Sequence, residues 1–199
     1  MSKQEPIKAM EIHGEKKKIV LAGDPNVGKS VFFNSLTGIY VDVSNFPGTT
    51  VDVSHGHFEE YAVIDTPGVY GISSFNDEEK VARDVILTAD LIVNVVDAVH
   101  LERDLFLSLQ VIETGIPTII VLNMMDDAKR EGLKIDLALL EEQLGVPVIP
   151  AVAIKGKGLK ELKEKLREAR TGNIPLERQA QLKALTCRNY CRQSEALLI

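Results

Sequence analysis

Residues 23–30 read Gly-Asp-Pro-Asn-Val-Gly-Lys-Ser, a match to G-x-x-x-x-G-K-[ST], and the chemistry of that spacing is the capture of a triphosphate. Gly23 and Gly28 free the backbone to curl so that N–H groups face phosphate oxygens, and a helix opening at Lys29 aims its positive end at the same point. Lys29 contributes a cation and Ser30 a hydroxyl suited to magnesium. Gly23, Asp24, Pro25, Asn26, Val27, Gly28, Lys29, Ser30 and Val31 are the expected lining of this cradle.

Two further strings close apolar runs. In Asp65-Thr66-Pro67-Gly68, Asp65 can hold magnesium through a water and the Gly68 N–H can meet a γ-phosphate. In Asn123-Met124-Met125-Asp126, the Asp126 carboxylate can accept two hydrogen bonds from N1 and N2 of guanine, a donor pair that adenine lacks, with Asn123 and Met124 beside it. Alone, D-x-P-G is a turn and N-x-x-D a helix cap. All three in this order, each ending a strand, resemble a GTPase of the translation-factor-related, Ras-like class. Pro47-Gly48-Thr49-Thr50 adds a fourth element, with Thr50 as the mobile hydroxyl that closes on magnesium and the γ-phosphate. The loop at 151–155 is expected to meet the base through the backbone N–H groups and packing of Ala151, Val152 and Ala153.

These motifs need a scaffold that brings strand ends together. Strands are expected at 18–22, 51–59, 61–65, 91–97, 118–123 and 146–149, and helices at 29–37, 76–88 with Asn76 or Asp77 as cap, 101–113, 136–144 and 159–170. The stretch 39–49 reads as a polar loop, and 51–59 with 61–65 as a hairpin. The expected fold is therefore α/β: a P-loop NTPase of the Ras-like G-domain type. Its six-stranded, mostly parallel sheet has one antiparallel edge strand and about five flanking helices, with ligands at the carboxyl ends of the strands. Residues 1–16 read as an arm, 17–170 as the nucleotide-binding domain, and 171–199 as a short helical tail.

The chain of 199 residues is 45% hydrophobic, enough for one ample core, and its net charge of −6 does not favour a nucleic acid as partner. Neither apolar stretch, 91–96 or 116–125, approaches the roughly 18–20 residues that cross a bilayer, and the charged first sixteen residues do not resemble a secretory signal. Cys187 and Cys191 are too few for a disulfide framework and read as free thiols of a reducing compartment. His55 and His57 share a strand face and read as solvated edge residues, while His13 and His100 have no evident partner.

The phosphate loop, Asn45-Phe46-Pro47-Gly48-Thr49-Thr50-Val51, Asp65-Thr66-Pro67-Gly68-Val69-Tyr70-Gly71-Ile72 running into Glu78-Glu79-Lys80-Val81-Ala82-Arg83-Asp84, and Val121-Leu122-Asn123-Met124-Met125-Asp126 together resemble the cytosolic G domain of FeoB-type ferrous iron transporters. In that family methionine stands where other GTPases carry lysine. The resemblance implies a GTP- and GDP-binding regulatory domain at the cytoplasmic face of the bacterial inner membrane, fused to an iron-conducting transmembrane domain, and it is compatible with a homo-oligomer. In that family a helical bundle that slows nucleotide release usually follows, and residues 171–199 are expected to supply one helix of it at most. The base loop also lacks the usual threonine, which implies weaker guanine contacts.

Hydrolysis would use Asn26, Lys29, Thr50 and Gly68, with magnesium on Ser30, Thr50 and Asp65. Val69 stands where small signalling GTPases place a glutamine, and it cannot orient water. Slow turnover is expected, unless another device supplies charge. The resemblance of Asn26 to the asparagine of potassium-activated GTPases implies that its side chain holds potassium with backbone carbonyls at Ser44 and Phe46. Two other readings stay open: a guanine-nucleotide sensor with negligible catalysis, and a ribosome-associated GTPase, against which the acidic charge and short tail speak.

Overall fold

A computed structural model describes residues 16–38, 42–46, 49–72, 76–172 and 174. The expectations for the arm before Lys16, for the tail helix with Cys187 and Cys191, for His13 and for Pro47-Gly48 lie outside the described residues. The elements run β1 (Lys17–Gly23), α1 (Lys29–Thr37), β2 (Asp42–Asn45), β3 (Asp52–Phe58), β4 (Tyr61–Asp65), α2 (Asp77–Ile86), β5 (Leu91–Asp97), α3 (Leu101–Glu113), β6 (Thr118–Asn123), α4 (Met125–Arg130), α5 (Leu137–Leu144), β7 (Val148–Pro150) and α6 (Leu159–Lys165). The last helix continues into a 3₁₀ turn, Leu166–Glu168.

The strands form one sheet in the order β2-β3-β4-β1-β5-β6-β7. The five strands from β4 to β7 are parallel, and β3 is antiparallel to both β2 and β4. The parallel centre follows from apolar runs that can be buried on both faces, because helices cross over each side. Alternation along β1 sends Ile19 and Leu21 to one side, against Phe32, Phe33, Leu162 and Leu166, and Val20 and Ala22 to the other, against Val81, Val85, Leu107 and Val111. A third cluster under β6 joins Ile120 and Leu122 to Leu109, Leu144 and Val146.

The sheet differs from the expected one at its edge. The stretch expected as loop contains β2, whose four residues are all exposed and whose only strand partner among the described residues is β3, in the register Asp42↔His55 to Asn45↔Asp52. No apolar run marks it, because backbone pairing rather than burial holds it. The sheet therefore has seven strands, with β2 and not the hairpin strand β3 at the edge. His55, expected as solvated, is buried, with Nε2 4.0 Å from an oxygen of Asp42 across this pairing. α4, Met-Asp-Asp-Ala-Lys-Arg, was also not expected, since only Ala128 is buried and six residues show no apolar period. α6 stops short of Arg170, whose carbonyl instead accepts from the Thr118 N–H at 3.0 Å.

Helix ends follow local chemistry. Of the two expected caps for α2, Asn76 serves, its side chain accepting from the Glu79 N–H at 2.7 Å, and Asp136 does the same for Leu139 N–H at 3.0 Å. Among the described residues no helix is long and apolar enough to cross a membrane.

Phe32 of α1 is fully buried, in the cluster that also holds Val27 of the phosphate loop. Phe32→Ala is expected to lower unfolding free energy by about 3–5 kcal/mol. Leu139→Ala, at a half-exposed site of α5, should cost under about 0.5 kcal/mol. Urea melts followed by circular dichroism would compare them, and a similar loss for both would refute this placement of the core.

Candidate functional site

The carboxyl ends of β1, β4, β5 and β6 lie along one edge, because the parallel registers pair Leu21 with Asp65, Gly23 with Val95 and Asp97 with Asn123. From that edge the chain leaves β1 at Gly23, where an added Cβ would fall 2.3 Å from the Val95 carbonyl oxygen. Left-handed bends at Asn26 (φ 64°) and Gly28 (φ 94°) then turn the loop into α1. Lys29 is buried, and its ammonium donates to the carbonyls of Gly23 at 3.0 Å and Asp24 at 2.9 Å. Burial pushes its pKa down, with the carboxylates of Asp65 and Asp24 pulling it back up.

Beside it, the Ser30 hydroxyl donates to Asp65 Oδ2 at 3.1 Å. Asp65 Oδ1 is buried and, among the described residues, has no hydrogen-bond partner. Burial raises the Asp65 pKa, while Lys29 and the Ser30 hydrogen bond lower it. An orphaned buried carboxylate oxygen beside a hydroxyl is a hard-oxygen donor set, and it fits magnesium. Thr50 and Asp65 line the same open cavity of about 340 Å³, together with Asp52, Ser54, Thr66 and Glu78.

The turn after β4 is pressed onto the phosphate loop. A Cβ on Gly68 would lie 2.7 Å from Pro25 Cα and 3.1 Å from Lys29 Nζ, so only glycine permits this approach. The Thr66 hydroxyl donates to the Leu21 carbonyl at 2.8 Å, and Val69 N–H to the Gly23 carbonyl at 3.3 Å. The Val69 side chain is buried in the cluster of Val20 and Ile64, turned into the core.

At the other end, Asn123 is buried and both functions of its amide are used within the protein. Nδ2 donates to the Val27 carbonyl at 2.9 Å, and Oδ1 accepts from the Ala153 N–H at 3.0 Å. Its place is between the two loops. Met124, left-handed at φ 61°, turns the chain into α4. Asp126 in the first turn of that helix accepts from Lys155 Nζ at 2.6 Å, a bond that holds its carboxyl below the ordinary range. The N–H groups of Ala151, Val152 and Ala153, expected to face a base, donate within the protein to Leu122, Lys157 and Asn123 respectively.

Asn26 is exposed, and among the described residues no hydrogen bond joins its side chain to Ser44 or Phe46. The Phe46 carbonyl accepts from both the N–H and the hydroxyl of Thr49, at 3.0 and 3.1 Å. His100, expected to be without a partner, has Nδ1 2.7 Å from Asp97 Oδ2. Among the described residues no group of three or more metal-ligating side chains occurs.

Sequence reasoning missed a charged cluster behind the phosphate loop. Arg103 Nε lies 2.7 Å from Asp104 Oδ1 and 3.3 Å from Asp24 Oδ2. Neither oxygen of the buried Asp24 has a hydrogen-bond partner among the described residues. No motif spacing signals this, since the α3 residues lie some eighty positions downstream and read as an ordinary amphipathic helix.

Comparisons with known proteins agree with this geometry. The sequence profile of the family described as Ferrous iron transport protein B matches residues 17–166. The chain is 40% identical over 178 residues to the Fe(2+) transporter FeoB of Salmonella typhimurium, a match covering 84% of this chain and 23% of the relative. It is 42% identical over 159 residues to that of Escherichia coli K12, covering 75% of this chain and 21% of the relative. The chain thus spans about a quarter or less of these curated relatives. Among solved structures, the cytosolic domain of L. pneumophila FeoB superposes with a TM-score of 0.76 at 38% identity, covering 80% of this chain and 67% of that one. A GDP-bound variant of S. thermophilus NFeoB gives 0.73 at 43%, covering 78% and 63%. A GMPPNP-bound variant gives 0.68 at 43%, covering 78% and 62%.

Burial, then the nearby Asp104, push the Asp24 carboxyl from 3.8 up to about 8, against the pull of Arg103 and Lys29. Between those values the folded chain holds a proton that the unfolded chain has released. This contribution to stability is complete below the unfolded value and is lost as pH rises through about 8. Asp24→Asn, neutral and of the same shape, is expected to flatten the decline of Tm across that window in calorimetry without nucleotide. Parallel pH profiles for the two proteins would contradict it.

Proposed function

The chain belongs to the FeoB family of ferrous iron transport proteins, and on that premise we propose that it is their guanine-nucleotide switch, binding GTP and hydrolysing it slowly to GDP and phosphate. Residues 17–170 form this G domain, and its GTP and GDP states govern Fe(II) passage through a transmembrane domain of the full-length protein, from the cytoplasmic face of the membrane. The observation that carries the reading is the convergence of two distant strand-end motifs on the phosphate loop. Asp65 bonds Ser30, Gly68 abuts Pro25, Asn123 bonds Val27, and Asp126 stands beyond Asn123 on the base side.

Hydrolysis of a phosphoanhydride needs positioning and charge neutralisation more than covalent chemistry. The loop N–H groups and Lys29 receive the phosphates, and the Gly68 N–H, held against the loop, faces the γ-phosphate. Ser30, Thr50 and Asp65 are the residues that would hold magnesium, which when bound neutralises charge on the phosphate oxygens. Asn26, with the carbonyls of Ser44 and Phe46, is the set that would hold potassium. Such a cation supplies positive charge where an arginine finger otherwise contributes on the order of 10³–10⁵ in rate. Asp126 selects guanine once Lys155 yields or shares its carboxylate.

The buried Val69 favours a second reading, a nucleotide sensor with negligible turnover, since no polar side chain at that position can orient the attacking water. Single-turnover hydrolysis with excess protein separates the two.

Potassium, but not sodium, is expected to accelerate GTP hydrolysis several-fold, and Asn26→Ala to abolish the difference. Equal phosphate release in the two salts would retire the potassium site. Asp126→Asn, which replaces an acceptor by a donor, is expected to weaken GDP binding by about 10- to 100-fold while improving binding of the xanthine nucleotide. Isothermal titration checks this, and unchanged guanine preference would mean that the base pocket lies elsewhere.

A further inference from the structure

We propose that Arg103 is a positioning residue through which α3 couples the segment at 69–72 to the phosphate loop, favouring a triphosphate over a diphosphate. The inference rests on the reading that this loop binds GTP and GDP. Three contacts fasten the segment to α3. The Arg103 guanidinium lies over the Tyr70 ring, 5.8 Å from its centroid. Gln110 Oε1 accepts from the Ile72 N–H at 2.9 Å. Between them Gly71 is packed so closely that a Cβ would fall 3.1 Å from Gln110 Oε1 and 3.3 Å from the Phe106 ring.

The same guanidinium faces the phosphate loop. Its Nε is shared between Asp104 Oδ1 at 2.7 Å and Asp24 Oδ2 at 3.3 Å. Asp104 is itself fixed to the end of β5, because its other oxygen accepts the Asp97 N–H at 2.9 Å. Asp24 is 1% exposed, and its carbonyl accepts from Lys29 Nζ at 2.9 Å. A continuous path of contacts therefore runs from Tyr70 through Arg103 and Asp24 to the lysine that meets the phosphates. Arginine suits this place because its planar group can use an edge for carboxylates and a face for an aromatic ring at once, which an ammonium cannot.

The direction of the coupling follows from what the segment carries. With Tyr70 on Arg103 and Val69 N–H on the Gly23 carbonyl, Gly68 is held against Pro25 and near Lys29. That is where its N–H serves a γ-phosphate, a group that GDP lacks. Releasing Tyr70 removes support from the triphosphate complex and leaves the β-phosphate contacts of the loop in place.

The test measures fluorescent GMPPNP and GDP affinities, and single-turnover GTP hydrolysis, in the whole chain. Arg103→Ala, Arg103→Lys and Tyr70→Leu are each expected to weaken GMPPNP relative to GDP roughly two- to fivefold. Arg103→Ala also unpairs the buried Asp104 and is expected to lower Tm, so the affinity ratio, taken well below each variant's Tm, is the readout. Tyr70→Phe, which keeps the ring face, is expected to lose less than Tyr70→Leu. The Arg103→Ala, Tyr70→Leu double variant should be no worse than either single change. An affinity ratio that Arg103→Ala leaves unaltered, or effects that add in the double variant, would overturn the coupling. If the wild type binds both nucleotides but hydrolyses no GTP, only the catalytic reading falls, because the ratio still decides on Arg103. If it binds neither, both fall.

Discussion

The side-chain amide of Asn123 ties the loop at 23–30 to the loop at 151–155, and the relative placement of those two loops depends on that tie. It reaches across 96 positions to Val27 and across 30 to Ala153, and it satisfies a carbonyl and an N–H that are otherwise buried in two irregular loops. Each such backbone group left unpaired would cost about 1–3 kcal/mol. The amide thus stabilises the loops and sets their separation together. The glycine at position 28 belongs to the same device, since a Cβ there would fall 2.7 Å from Asn123 Nδ2 and push the loops apart.

The electrostatics point the same way. Lys29, Asp65 and Asp24 are all withdrawn from water, and burial is the largest influence on each, pushing every one toward its neutral form. What offsets burial is mutual attraction, Lys29 with Asp65 and Arg103 with Asp104, whereas for Asp24 the pull of Arg103 and Lys29 is outweighed. Charges held in this way cost stability, and a fold retains them where a charged ligand is to be met by groups already oriented. Asp65 Oδ1, buried without a partner among the described residues, and the folded-back Lys29 are two sides of one preorganised site.

How much of this the residues disclosed depended on burial. Strands β4, β5 and β6 and helices α1 and α3 have the bounds expected for them, because each carries an apolar run or period that the core fixes. The phosphate loop and the strand-end motifs were legible because their chemistry demands glycine, lysine or carboxylate at fixed spacing. β2 and α4 were not, since nothing apolar marks Asp-Val-Ser-Asn or Met-Asp-Asp-Ala-Lys-Arg and both are held by backbone pairing and loop geometry. The same limit hid Lys155 on Asp126 and Arg103 on Asp24, which lie 29 and 79 positions apart in the chain. Long-range charge pairing leaves no local pattern, whereas a buried face does.

The distribution of burial also divides the site into a part that can stay fixed and a part that can move. Lys29, Asn123 and the turn at Thr66 are buried against the central strands, and their bonds to Leu21, Gly23 and Val27 span the middle of the sheet. Thr50, by contrast, stands where the chain returns from β2 to β3, exposed, next to an edge strand with no buried residue and one strand neighbour. Local opening is cheapest where few apolar contacts must be broken. The segment at 69–72 lies between these extremes, with Val69 in the core and Tyr70 on the surface under Arg103. A buried valine cannot orient water, but it can hold one end of that segment in the core while the tyrosine end changes partners. With Val69 in the core, the polar side chains at this end of the site are those on the exposed side of the loop at 23–30, Asn26 and Ser30.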